Sequence, residues 1–238
     1  MTAKPYGLIC PISKACEVLQ ARWTLPILCE IWAGETRFND IRRALGGISP
    51  TVLSRRLSEL EAAGMVERIE DPAKGSVDYL RTQKAVDLEP ALIALAHWAQ
   101  ANIEADVALS YEVSTLMWKM RKMDVSKVPA RRIVVRFHFS DADEAHEVYW
   151  LLLRPGFPVE VCVDVPGFEV DLYVETTTES FGAVIMGRST LAREEELGRM
   201  YVSGDAALKR SLPDWFPKSK HSTAEGIAML RAPGEGVA

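Results

Sequence analysis

The sequence predicts an α+β protein of two modules, on three observations. Apolar residues recur at helical spacing through roughly the first sixty residues. A two-stranded pattern breaks that period over residues 65–81. The second half mixes short strand-like apolar runs and Pro-Gly turns with helical segments. The expected division is residues 1–124 and residues 125–238.

Length and composition agree. A chain of 238 residues accommodates two ordinary domains at roughly 100–200 residues each. Its 48% apolar and 26% charged residues suit a folded soluble protein with no need of a disulfide framework. Cys10, Cys16, Cys29 and Cys162 form no Cys-x-x-Cys pair and have no histidine at finger spacing. They read as reduced thiols of a cytoplasmic protein, with no metal and no cofactor. No run of about eighteen apolar residues predicts membrane insertion. The opening Met-Thr-Ala-Lys-Pro lacks the apolar core of a signal peptide.

The elements follow in order. Ser13 can cap a helix over 14–20. Thr24, with Pro26 in the first turn, starts a second helix through Trp32, stopped by Gly34. Phe38, Ile41, Arg42 and Leu45 suggest a short third helix ended by Gly46-Gly47. Ser49-Pro50 supplies a cap and a first-turn proline to a fourth, and Gly64 ends it. Strands over 65–70 and 77–81 flank a turn containing Lys74. Thr82 then caps a long helix through Leu88, Leu92, Leu95, Trp98 and Ile103, which Pro90 can kink or divide. A further helix is expected over 105–123, and a linker at Ser126-Lys-Val-Pro129. Strands are expected over 132–139, 148–153, 159–163 and 170–175. Helices are expected over 178–186 and 190–196, and another from Gly204-Asp205 to Leu212. The tail after Ala232 is expected to fray.

The net charge of −5 argues superficially against nucleic acid. Residues 1–122, however, carry 15 basic and 15 acidic residues, and 123–238 carry 13 and 18. Five arginines (37, 42, 43, 55, 56) face only Glu35, Asp40 and Glu59 between Gly34 and Leu60. Phosphate binding depends on that local field. On a helical wheel, Leu57 and Leu60 fall within about 40° of Leu53, while Thr51, Ser54, Arg55 and Ser58 lie roughly 100–200° away. Hydroxyls and a guanidinium suit a major groove, and the helix N-terminus suits a phosphate. Taken alone, such a helix reads as an ordinary amphipathic one with a solvated face. Three helices followed by a hairpin reverse that reading, because this order is the winged helix-turn-helix layout. The candidate contacts to double-stranded DNA are Arg37, Arg42, Arg43, Ser49, Thr51, Ser54, Arg55, Arg56, Ser58 and, at the wing tip, Lys74.

Cys10-Pro-Ile, Arg22-Trp-Thr-Leu-Pro-Ile-Leu, Arg37-Phe-Asn-Asp-Ile, Gly47-Ile-Ser-Pro and Leu53-Ser-Arg-Arg-Leu-Ser-Glu-Leu resemble HxlR-type winged-helix regulators. Gly64-Met-Val-Glu-Arg and Val77-Asp-Tyr-Leu-Arg-Thr continue the pattern, over about residues 8–104. The resemblance implies a homodimer in which the N-terminal helix and the helix after the wing pack on the partner, with Trp98 either an anchor there or core. It also makes Cys10 a candidate redox sensor, against the alternative of a small apolar interface residue. Cys16 and Cys29, on apolar helices, read as core.

Arg136-Phe-His-Phe, Trp150-Leu-Leu-Leu-Arg-Pro-Gly, Val161-Cys-Val-Asp, Pro166-Gly-Phe-Glu-Val-Asp-Leu and Gly204-Asp-Ala-Ala-Leu resemble the sterol-carrier fold over about residues 125–217. That resemblance implies a curved sheet covered by helices, enclosing a site for a lipid or other apolar small molecule. Phe137, Phe139, Trp150, Leu152, Phe181, Ile185 and Trp215 are its candidate lining, unless they fill a solid core. No catalytic constellation is found: the four histidines are scattered, and Glu194-Glu-Glu196 reads as a solvated helix face. The expected function is a DNA-binding transcription regulator acting as a repressor, not an enzyme, whose second module senses an apolar small molecule. The alternatives are a purely structural second module, or a lipid carrier.

Overall fold

The computed structural model describes residues 5–73 and 75–232. Lys74 and the tail after Ala232 lie outside the described residues. The chain forms two compact units, Met1–Ala91 and Leu92–Ala238.

The first unit contains α1 (Pro11–Leu19), α2 (Thr24–Trp32), α3 (Phe38–Leu45), α4 (Pro50–Ala62), β1 (Val66–Asp71) and β2 (Ser76–Arg81). α1 begins ahead of the expected Ser13 cap, because Pro11, with its φ preset for a helix, occupies the first turn and Cys10 takes the cap position. The glycine and Ser-Pro signals place the next three helices as expected. Gly34 and Gly64 both adopt positive φ just beyond a helix end. Ser49 Oγ accepts the Val52 N–H at 3.3 Å. Ile27, Leu28, Ile41, Leu53, Leu57, Leu60, Met65 and Val66 form one core. β1 and β2 pair antiparallel from Val66–Arg81 to Asp71–Ser76. Thr82 Oγ1 donates to Gly64 O at 2.7 Å, tying the strand exit to the end of α4.

α5 (Gln83–Asn102) is one continuous 20-residue helix, and the boundary between the units falls within it. Pro90 does not divide it. Pro90 is exposed, so the backbone carbonyl it leaves without a helical donor can turn to water.

The second unit holds α6 (Ala105–Ala108), α7 (Val113–Met120), β3 (Ile133–Phe139), β4 (Val148–Leu153), β5 (Glu160–Cys162), β6 (Leu172–Thr176), α8 (Thr178–Met186), α9 (Leu191–Glu196), β7 (Met200–Gly204) and α10 (Ala206–Trp215). The single helix expected over 105–123 is broken after Leu109. Leu109 is buried, and Tyr111 turns so that its hydroxyl donates to Thr178 O. β7 was not expected; it is five residues long with little apolar signal beyond Met200 and Val202. The sheet order is β5-β4-β3-β6-β7. β3 pairs parallel with β6, and all other pairs are antiparallel.

One face of this sheet carries the main core. Ile133, Val135, Phe137 and Phe139 of β3 join Phe181 of α8, Leu208 and Leu212 of α10, and Val113, Met117 and Met120 of α7. That packing of α7, with Ala105 and Leu109 against Ala183 and Gln100 bonded to Arg188 and Met186, is why residues 92–124 fall with the second unit, ahead of the expected boundary at 124/125.

Glu194 corrects the reading of Glu194–Glu196 as a solvated face. Its carboxylate is wholly buried. It accepts hydrogen bonds from Ser180 Oγ at 2.6 Å, from Arg199 Nε at 2.8 Å and Nη2 at 2.7 Å, and from Ser189 Oγ. Nearby, the buried Arg188 donates to Gln100 Oε1 at 3.0 Å and to the Ile103 and Ala228 carbonyls, both at 2.9 Å. It thereby caps the end of α5 with a guanidinium.

Candidate nucleic-acid interface

The α4 surface is built by its buried side. Leu53, Leu57 and Leu60 are almost fully enclosed, which fixes the helix's rotation. Thr51, Ser54, Arg55 and Ser58 are consequently all exposed on the other side. The Arg55 side chain is 66% exposed and its Nε lies 3.1 Å from Glu59 Oε1. An exposed ion pair of this kind is weak enough to be exchanged for a phosphate or guanine.

Arg56 belongs elsewhere. Its side chain is only 14% exposed and pairs with Glu59. Its Nε donates to Arg22 O at 3.0 Å. Arg22 in turn lies over the Trp23 ring, 5.4 Å from its centre. Trp23 holds a left-handed φ of +81° at the entry to α2. Arg56, a candidate DNA contact from the sequence, therefore anchors α4 to that entry.

The remaining candidates divide by position. Ser49 is the α4 cap, so its hydroxyl is already engaged by Val52 N–H. Arg43 is exposed, with Nη1 3.7 Å from Asp40 Oδ1. Arg42 is partly buried on the same helix. Arg37 precedes α3 and bridges to Asp78 of β2, its Nε 3.9 Å from Oδ1. Thr36 Oγ1 donates to that same carboxylate oxygen at 2.6 Å. This places Arg37 between α3 and the hairpin.

Cys10 is exposed at the start of α1. Amide N–H groups of Ser13 and Ile12 donate to its sulfur and hold the thiol below its ordinary pKa. Cys29 is exposed and not core, because it projects from α2 on the side away from Ile27, Leu28 and Ile31; Cys16 is partly buried.

In the second unit the proposed apolar lining separates into two sets. Phe137, Phe139, Phe181, Ile185 and Trp215 share the helix-covered face. Phe181 packs edge-on, 5.3 Å from both Phe137 and Phe139 and 5.6 Å from Phe216. Trp150 and Leu152 cluster with Val134 on the opposite face. The β3–β4 register causes this, pairing Trp150 with Arg136 and Leu152 with Val134. Those two residues cannot line one site together with Phe137 and Phe139. Among the described residues no helix is long and apolar enough to cross a membrane, and no group of three metal-ligating side chains converges.

Residues 18–107 match the HxlR-like helix-turn-helix family. The uncharacterized HTH-type transcriptional regulator YvaP of Bacillus subtilis is 38% identical over 100 residues, 40% of this chain and 91% of that protein. YtfH of Escherichia coli, also described as an HTH-type transcriptional regulator, is 32% identical over 104 residues, 43% of this chain and 82% of that protein. The reduced form of the B. subtilis transcriptional regulator YodB is 31% identical, covering 41% of this chain and 97% of that chain with a TM-score of 0.37.

Proposed function

The chain belongs to the HxlR-like helix-turn-helix family and is a DNA-binding transcription regulator; on that premise we propose that it reads duplex DNA through α4. The observation that carries this reading is the exposed stripe of Thr51, Ser54, Arg55 and Ser58 opposite a fully buried leucine stripe. Arg55 is the base- or phosphate-reading side chain, and Arg42 and Arg43 are backbone contacts. Repression by occupancy of a promoter is the simplest output of such a protein.

The working species is a homodimer in the cytoplasm. Leu8, Ile9 and Ile12 are 54%, 98% and 72% exposed, a density of bare apolar surface that favours a partner. On α5, Leu95 and Trp98 are 48% and 57% exposed, so Trp98 is not core in the single chain. A two-fold pair would present two copies of α4 to half-sites about one helical turn apart. The second unit, of sterol-carrier type, is the sensor. An apolar ligand among the aromatic side chains of its helix-covered face would act as a signal by binding one DNA-binding state better than the other.

Electrophoretic shift of the promoter upstream of the protein's own gene tests the central claim. Arg55→Ala is expected to weaken binding by about 1–3 kcal/mol if the residue reads a base. Wild-type affinity in that variant, with the fold intact, overturns the assignment of α4 as the reading helix.

A further inference from the structure

We propose that the exposed part of the second unit's other sheet face, around Arg136 and opposite the aromatic core, binds a small planar aromatic carboxylate. This site is distinct from the core-facing ligand reading above.

The strand register builds it. Side chains on alternate positions of β3, β4, β6 and β7 point away from the helices. Arg136 of β3 stands directly between Trp150 of β4 and Tyr173 of β6. On the next rung, His138 is paired with Glu175, and Glu175 with Tyr201 of β7. Directly opposed side chains in a sheet start about 4.5–5.5 Å apart, so these groups form one continuous patch. Tyr173 and Tyr201 are 39% and 63% exposed.

Arg136 is the unusual member. It is partly buried, and among the described residues no carboxylate lies within ion-pair reach of it. Its neighbours are engaged differently: the exposed Arg132 lies over the Phe168 ring, 4.2 Å from its centre, and two others are paired with carboxylates. Arg131 pairs with Asp171 at 2.6 Å and Asp205 at 3.0 Å, and Arg154 pairs with Glu160. A partly desolvated guanidinium without a counter-ion favours an incoming anion. Its planar fork takes a carboxylate through two parallel hydrogen bonds. Tyr173 directly beside it, and Tyr201 one rung and one strand further on, offer exposed aromatic rings to a flat apolar body.

Charge narrows the ligand further. Glu175 sits one rung from Arg136, and residues 123–238 carry 18 acidic against 13 basic side chains. That field opposes nucleic acid and other polyanions but tolerates one negative charge held at Arg136. The packed cluster of Trp150, Val134 and Leu152 limits the patch on the β4 side. A single carboxylate on an aromatic ring matches all of these constraints.

The test is isothermal titration of the full-length protein with sodium benzoate, cyclohexanecarboxylate and inorganic phosphate. Benzoate is expected to bind saturably, cyclohexanecarboxylate several-fold more weakly, and phosphate not to compete. Arg136→Gln is expected to weaken benzoate binding about tenfold or more while melting as wild type does. Tyr173→Leu is expected to erase the preference for benzoate over its saturated analogue. The proposal is overturned if benzoate does not saturate, if Arg136→Gln binds it as tightly as wild type, or if cyclohexanecarboxylate or phosphate binds equally well.

Discussion

Replacing Glu194 by glutamine should destabilise the second unit alone, and by a large amount. Glu194 is wholly buried and receives four hydrogen bonds, two of them from Arg199, whose side chain is 16% exposed. The amide keeps the volume but removes the charge. It also turns an NH2 group towards the donors of Arg199 or the serines. Breaking a buried pair while leaving its partner charged costs roughly 3–5 kcal/mol. For a unit of roughly 150 residues, each kcal/mol lowers Tm by about 2–4 °C, giving a drop of about 6–20 °C. Differential scanning calorimetry is the assay. A two-unit chain is expected to melt in more than one step, so only the second unit's transition should move. The double replacement Glu194→Met with Arg199→Met should cost less than Glu194→Gln, because no lone charge remains. A drop below about 2 °C, or an equal fall in both transitions, would refute the argument.

Arg56→Ala should lower the stability of the winged-helix unit by about 1–3 kcal/mol through loss of the bond to Arg22 O, with little change in DNA affinity at low temperature. Arg55→Ala should do the opposite, and denaturant titration beside a binding assay separates the two; the reversed pattern would exchange their roles. Cys10 should be the thiol that iodoacetamide alkylates at the lowest pH, because donated amide hydrogens favour its thiolate. Cys162 should lag, since burial, followed by Glu160 and Asp164, raises its pKa. Peptide mapping across a pH series checks this order, and earlier modification of Cys162 would contradict it.

Legibility in the sequence varied with the range of the deciding interaction. The bounds of α4 were readable because Ser49-Pro50 starts it and Gly64 follows its end, and both signals act within one turn. Its exposed stripe was readable because a wheel needs only the helical period. The same wheel sets Arg56 about 60° from Leu53, beside the buried stripe, and so apart from Arg55. What it could not give is the partner of Arg56, the carbonyl of Arg22, 34 residues earlier in the chain. Glu194 looked solvated for a similar reason. Ser180 and Ser189 lie before it and Arg199 after it, and only the fold brings all three to one carboxylate.

The sequence by itself determined the order of helices and hairpin, the starts and stops of α2, α3 and α4, and the local positive charge hidden within a net −5. These depend on steric preferences and charges of residues close in the chain. Tertiary structure alone decided the sheet's two faces, separating Trp150 and Leu152 from Phe137 and Phe139. It also decided the joining of α7 to that sheet and the isolation of Arg136, among the described residues, from any carboxylate. Each depends on strand register or packing between distant segments. In a sheet, a one-residue slip would send every such side chain to the other face.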